Sequence, residues 1–297
     1  MIKSLDLNFL NHSQAIGSYL IETAAGPILI ETGPHSTIKT LEKSLQENGY
    51  QLSDIKHVFL THIHLDHAGA AWVFAEKGAK IYLHPFGAAH MEKPEKLMES
   101  ARRIYQEKMD MLWGEMRNID QSQLITVAHG EKINIGEKII TAWHTPGHAK
   151  HHIAWQMDNV LFTGDVAGVK IKDGPVVPPC PPPDINLEDW NDSLSLIREI
   201  SPEKLYLTHF GDVSNVETHL DSLHQMLNDW AFWIKENWAS GKSIEELTPL
   251  FSEYTKNQLI ALGVSEADTQ KYEAANPSWM SVAGLIRYWK KKGDNQS

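Results

Sequence analysis

Four short β-prone runs in this chain each stop at a histidine or an aspartate, and that shared ending constrains the fold more than any other feature. Ile55-Lys56-His57-Val58-Phe59-Leu60 leads into Thr61-His62-Ile63-His64-Leu65-Asp66-His67. Lys138 to Trp143 leads into His144-Thr145-Pro146-Gly147-His148, Asn159 to Thr163 into Gly164-Asp165, and Lys204 to Thr208 into His209-Phe210-Gly211. Apolar runs of this length bounded by Gly and Pro read as strands, and the polar groups fall where each strand breaks. All four strand ends are expected at one rim of the fold. Neutral imidazole and carboxylate are the donors that divalent transition metals take, so the rim reads as a metal-binding edge with room for two ions.

The elements around these runs fit a mixed architecture. Gly17 to Glu22 and Pro27 to Glu31 flank a turn at Ala24-Ala25-Gly26, and a helix is predicted from about Ser36 to Asn48, with Gly49 as its C-terminal stop. A further helix is predicted over Ala68 to Gly78, directly after the cluster. The second half repeats the theme, with strands between about 124 and 162 and a helix near 187 to 200. Strands with helices outside them predict an α+β four-layer αβ/βα sandwich.

The ordered set His62-x-His64-x-Asp66-His67, then His148, Asp165 and His209, resembles the metallo-β-lactamase-fold hydrolase superfamily. The stretch Gly26-Pro27-Ile28-Leu29-Ile30-Glu31-Thr32-Gly33, Thr61 and Thr163-Gly164-Asp165 belong to the same resemblance, which covers roughly the first three quarters of the chain. It implies that His62, His64 and His148 hold one ion, that Asp66, His67 and His209 hold the other, and that Asp165 bridges them. It also implies a hydroxide between the two metals as the nucleophile, with Asp66 orienting it and carrying a proton toward the leaving group. The implied cofactor is a pair of divalent ions, zinc first, with iron or manganese as alternatives.

Read one at a time, most histidines after strands are surface or hydrogen-bonded groups. His57 and His84 are placed in that class, with His84 expected to face solvent or a loop. His151 and His152 follow His148 closely enough for one of them to hydrogen-bond a ligand.

Composition narrows the partners. The chain has 297 residues, 42% hydrophobic and 22% charged, with a net charge of −11. That acidity argues against nucleic acid, because phosphate backbones call for clustered Lys and Arg. The basic run Lys290-Lys291-Lys292 is read as complementing a helix C-terminus. The single cysteine, Cys180, has no internal disulfide partner, the first residues lack a signal-peptide core, and no window approaches a membrane span. A cytoplasmic protein acting on a small molecule is expected, with a homodimer left open. Cys180, among prolines, is read as structural.

Three stretches lie outside the metal-bearing scaffold. The catalytic domain is assigned to 1–224, with a helical insert at about 86–120, and 225–297 to a helical extension packed on it. Within the insert, Met98, Ala101, Tyr105, Met109, Leu112 and Met116 recur at helical spacing, predicting one amphipathic helix over Pro94 to Met116. It is read either as packing or as a flap over the metals, which makes Tyr105 and Met109 pocket-wall candidates. The proline run from Pro175 to Pro183 is read as a stiff pocket boundary, with Pro181 and Pro182 in the wall. In the extension, Ser243 and Ser265 mark helix starts, and Trp230, Trp233, Trp238, Trp279 and Trp289 are read as a small core, a cap over the site or a dimer interface.

The expected reaction is metal-dependent hydrolysis of an ester, lactone or thioester. No tyrosine follows Asp165 as in lactone-opening relatives, and no basic cluster marks the C-terminal helices as in glutathione-thioester hydrolases of glyoxalase II type. An iron-dependent oxygenase acting on persulfides and a phosphodiesterase of the same fold are the alternatives. The full second-site set favours two metals over the first, and the acidic surface weighs against the second.

Overall fold

The computed structural model describes residues 1–294. Its strands form two six-stranded sheets. The first runs β1 (Ile2–Asp6), β2 (Gly17–Thr23), β3 (Gly26–Ile30), β4 (His57–Phe59), β5 (Lys80–Leu83) and β6 (Leu124–Thr126) in spatial order. The second is ordered β12 (Gly211–Val213), β11 (Lys204–Leu207), β10 (Val160–Gly164), β9 (Ile153–Met157), β8 (Lys138–His144) and β7 (Lys132–Ile135). β3 through β6 pair in parallel, as do β10 and β11, and the other pairings are antiparallel.

Both faces of each sheet are buried, which is why the central strands are apolar almost throughout instead of alternating. In β3, Ile28 and Ile30 enter the core between the sheets, while Leu29 points outward into the core under the helices. The same alternation puts Phe59, Ile153, Trp155 and Phe162 between the sheets and Val58, Ala154 and Leu161 on the outer faces. Phe59, Trp155 and Phe162 are each 0–1% exposed. Full burial of a large apolar side chain is worth about 1.5–3 kcal/mol before entropy is counted, so this inner layer holds the sheets together.

Helices cover the outer faces. Over the first sheet lie α1 (Ile38–Glu47), α2 (Leu65–Ala68), α3 (Ala71–Ala75), α4 (Pro85–Glu92), α5 (Glu95–Tyr105) and α6 (Met109–Leu112). Over the second lie α7 (Leu187–Ile200), α8 (Val216–Ala239), α9 (Ile244–Ala261), α10 (Glu266–Ala275) and α11 (Ser278–Asp294). The result is the predicted four-layer sandwich with a helical insert and C-terminal helices.

Several local expectations change. The helix after the cluster starts earlier and is broken: α2 already contains Asp66 and His67, and α3 resumes at Ala71. The insert is not one helix. α5 ends where Gln106 takes φ 48°, and the chain turns before α6. Met98, Ala101 and Met109 then face the core of the first sheet, so Met109 is a core residue and not a pocket wall. His84 does not face solvent. It is 7% exposed, accepts from the Phe86 amide at 3.1 Å and packs on His144 with ring centroids 4.2 Å apart.

Position 224, the expected end of the catalytic domain, falls inside the continuous helix α8. Trp230 joins the core shared by α7, α8 and the second sheet, with Trp233, Trp238 and Trp289 packed against it. Trp279 instead reaches the cavity over the site. Ser243 and Glu246 form a reciprocal capping box, and Ser265 caps α10. Among the described residues no helix is long and apolar enough to cross a membrane.

Candidate metal centre

The seven residues singled out in the sequence converge at one edge of the sandwich. His62 and His64 lie in the loop after β4, Asp66 and His67 in α2, His148 in the turn after β8, Asp165 just past β10, and His209 just past β11. Strands of both sheets therefore deliver the cluster. Its local supports explain the flanking sequence. Thr32 and Gly33 both donate backbone N–H bonds to the His67 carbonyl, at 2.9 and 3.1 Å, and so pin α2. At Gly164, φ is 49° and a Cβ would come within 2.4 Å of Thr61 Oγ1, so a glycine is required before Asp165. Gly147, at φ 133°, lets the His148 turn sit against Trp190 of α7, where a Cβ would approach Trp190 Cα to 2.4 Å.

Three imidazole nitrogens face one another on one side. His62 Nε2 and His148 Nε2 each lie 3.0 Å from His64 Nδ1. On the other side, His67 Nε2 is 3.6 Å from Asp66 Oδ2, and His209 Nε2 is 3.5 Å from the same oxygen. Asp165 stands between them: Oδ2 is 3.3 Å from His148 Nε2, while Oδ1 is 3.2 Å from His67 Nε2 and 3.4 Å from His209 Nε2. Among the described residues, the groupings able to hold an ion are His62/His64/His148, His62/His67/Asp165 and Asp66/His67/His209.

The outward nitrogens are held by hydrogen bonds that aim the inward ones. His148 Nδ1 donates to the Pro179 carbonyl at 2.8 Å, and His209 Nδ1 to the Ala15 carbonyl at 2.7 Å. His62 Nδ1 pairs with Thr61 Oγ1 at 3.0 Å. Of the two neighbours of His148, His152 is the one tied to a cluster residue. Its Nε2 accepts from the Asp165 amide at 3.2 Å, which leaves the proton on Nδ1 to donate to Thr145 Oγ1 at 2.8 Å. His151 lines the cavity instead. Glu31, not assigned a role from sequence, is fully buried at φ 64°. Its Oε1 accepts from the Thr61 amide at 3.0 Å and its Oε2 stands 3.5 Å from His67 Nδ1. The only sequence signal for it was its place in the Gly26 to Gly33 stretch.

The electrostatics divide the site. Burial, followed by the neighbouring imidazoles, holds His62 well below the ordinary histidine value and takes His64 to about 3, and burial also lowers His148. These rings are neutral, the form that binds a metal. Burial also opposes charge on His67 and His209, yet Asp165 and Asp66 outweigh it and raise both. A dication here would supply the positive charge those carboxylates otherwise draw from protonated imidazole. The same point follows from hydrogen bonding. Glu31 Oε2, both ring nitrogens of His67 and Asp165 Oδ1 are buried without a hydrogen-bond partner. Buried polar atoms are seldom left unpaired, and donor atoms that converge without protons between them fit a cation. The residues present thus fit divalent ions.

A family model described as the metallo-beta-lactamase superfamily matches residues 16–209. The chain belongs to this superfamily. Together, the fold and the His/Asp clusters support use of a divalent metal by a superfamily enzyme. A metallo-beta-lactamase fold-containing protein of Sulfurisphaera tokodaii is 32% identical over 183 residues, spanning 58% of this chain and 67% of its own. The probable metallo-hydrolase YqjP of Bacillus subtilis is 24% identical over 229 residues, spanning 70% and 72%. Among solved structures, a metallo-beta-lactamase family protein from Thermus thermophilus superimposes with a TM-score of 0.66 at 20% identity. That match covers 98% of this chain and 94% of the other, so the likeness of fold extends through the C-terminal helices.

Of the pocket-wall candidates, Tyr105, Pro181 and Pro182 line the cavity above the cluster, together with Pro179 and Pro183. Cys180 is buried with its thiol pKa pushed up by burial, in keeping with a structural role.

Proposed function

We propose that the protein is a dinuclear-metal hydrolase that cleaves an ester, lactone or thioester of a small molecule. The observation that carries this reading is the split of Asp165, whose two oxygens face different imidazole groups, Oδ2 toward His148 and Oδ1 toward His67 and His209. A carboxylate set between two groups of donors offsets the repulsion of two cations held close together. His62, His64 and His148 would hold one ion, Asp66, His67 and His209 the other, and Asp165 both. Zinc is the first choice, and the two ions would supply Lewis acidity toward a carbonyl oxygen and lower the pKa of water toward about 7.

The chain's own residues do the remaining work. Asp66 is the cluster carboxylate with a partly open side chain, 21% exposed where that of Asp165 is 4%. It lines the cavity and is placed to accept a proton from an incoming water and return it to a leaving group. Burial opposes charge on Asp66, but the His67 and His209 rings outweigh it and hold the carboxyl below its usual range, so it is ionised at neutral pH. His152 holds the Asp165 amide, and Glu31 Oε2 stands 3.5 Å from His67 Nδ1.

Elemental analysis paired with lactone, thioester, aryl ester, phosphodiester and β-lactam substrates tests the reading. About two divalent ions per chain and turnover of an ester, lactone or thioester are expected. About one iron per chain with oxygen uptake on a persulfide would replace it with the oxygenase. Turnover of the phosphodiester alone would replace it with the phosphodiesterase. Asp165→Ala should lower metal content and abolish turnover, and full activity in that variant would refute the bridging role.

A further inference from the structure

The cavity over the cluster has a volume of about 900 Å³. That lies toward the top of the ~300–1,000 Å³ span of small-molecule pockets, far more than a short acyl ester needs. Its floor is His64, Asp66, His148 and Asp165. We infer that the rest of it selects a large apolar acyl group, of octanoyl size or above, laid along the aromatic wall with its carbonyl at the Asp66 and Asp165 end. The position of the carbonyl rests on the hydrolase reading; the character of the wall does not.

Three observations support the choice. The wall is a contiguous aromatic surface: Phe9 stacks on Trp113 at 5.6 Å, and Tyr105 meets Trp113 edge-on at 5.1 Å and Trp279 at 5.8 Å. Pro181 and Pro182 contribute to the same lining and have no N–H to offer a polar ligand.

The mouth is the second observation. Leu10, Ile104 and Met111 line it and are 37%, 42% and 58% exposed. Three large apolar side chains held in water around one opening carry a hydration cost that an apolar ligand removes.

Charge is the third. The lining lysines, Lys96 and Lys108, are accompanied by the carboxylates Glu107, Asp184 and Glu273. Apart from ions held at the floor, the carboxylates outnumber the lysines, so these side chains form no cationic cluster for a phosphate or polycarboxylate headgroup. Selectivity then falls to the apolar wall.

The test is a series of p-nitrophenyl esters, acetyl, butyryl, octanoyl and decanoyl, with the metal-loaded 297-residue chain. From acetyl to octanoyl, kcat/KM should rise about tenfold or more, mainly through KM, because each added methylene leaves water for the wall. A flat or falling series would overturn the inference. Ile104→Glu and Met111→Glu alter exposed positions, so the fold should hold, and each should cut the octanoyl-to-acetyl ratio of kcat/KM by about fivefold. Ratios equal to the parent's would count against the mouth.

If no ester turns over, octanoate and acetate are titrated against the same protein by tryptophan fluorescence, since Trp113 and Trp279 line the cavity. Octanoate binding at least about tenfold tighter than acetate would keep the apolar cavity while the hydrolase reading fails. Equal affinity would sink the inference.

Discussion

Glu31 supports the site from a buried position outside the cavity lining. One oxygen accepts from the Thr61 amide and the other faces the outer nitrogen of His67 at 3.5 Å, so the same carboxylate holds the start of the His62 loop and lies beside the His67 ring. Glu31→Gln keeps an acceptor for Thr61 but removes the charge beside His67. A loss of about 10–100-fold in metal affinity is expected, the usual cost of removing such a support. Competition with a chelating dye measures it, and parental affinity would make Glu31 a packing residue. The seven residues of the candidate site were legible as an ordered set at four strand ends and through the resemblance that set carries, although each alone would have carried little weight. Glu31 was not, and neither was the choice of His152 over His151, because both depend on which backbone amides they meet in space. Met109 went wrong for a similar reason: periodicity defines a helix face, but it does not show that the chain turns at Gln106.

At the level of elements, the proline run gains its stiffness from its neighbours as well as from its rings. Tyr272 donates to the Pro175 carbonyl at 2.7 Å, Asn276 to that of Pro178 at 3.0 Å, and Lys291 to that of Pro183 at 3.0 Å. α11 can seat this closely because residue 284 is glycine, where a Cβ would come within 2.0 Å of the Cys180 carbonyl oxygen and 2.9 Å of Pro181 C. Both are backbone atoms and cannot rotate away. Gly284→Ala should therefore destabilise the protein by about 1–3 kcal/mol and lower Tm. Because Pro179 also receives the His148 Nδ1 bond, activity should fall with it, by a larger factor than the fraction unfolded explains. An unchanged Tm would show that α11 shifts freely. The sequence reading recovered α1, α7 and the capped starts of α9 and α10, where end signals are local. It missed the break between α2 and α3, which falls at Gly69 and Ala70, next to the His67 carbonyl that Thr32 and Gly33 take.

Across the whole molecule, three apolar layers hold the sandwich together, one between the sheets and one under each set of helices. The acid response should follow from histidines buried in the neutral form. His219 of α8 is taken down to about 4 by burial, and its Nε2 donates to the Ala167 carbonyl at 2.7 Å. Above about pH 6.5 it is neutral in folded and unfolded chains alike; between there and about 4 the unfolded chain takes up a proton that the folded one does not, so stability is lost as pH falls. The urea midpoint of the metal-stripped protein should drop across this window, and His219→Gln should flatten part of the slope. An identical slope in the variant would remove His219 from the account. The layered architecture was legible from strands without polar faces, whereas the sharing of one core by the second sheet and the C-terminal helices was not, since helix faces do not name their partners. The distribution of the site across both sheets has a consequence for biosynthesis. A ribosome delivers His62, His64, Asp66 and His67 first, and nothing in the first sheet can complete them. An ion at this rim could gain His148, Asp165 and His209 as donors only once the second sheet has docked, so completion of the site would follow assembly of the sandwich.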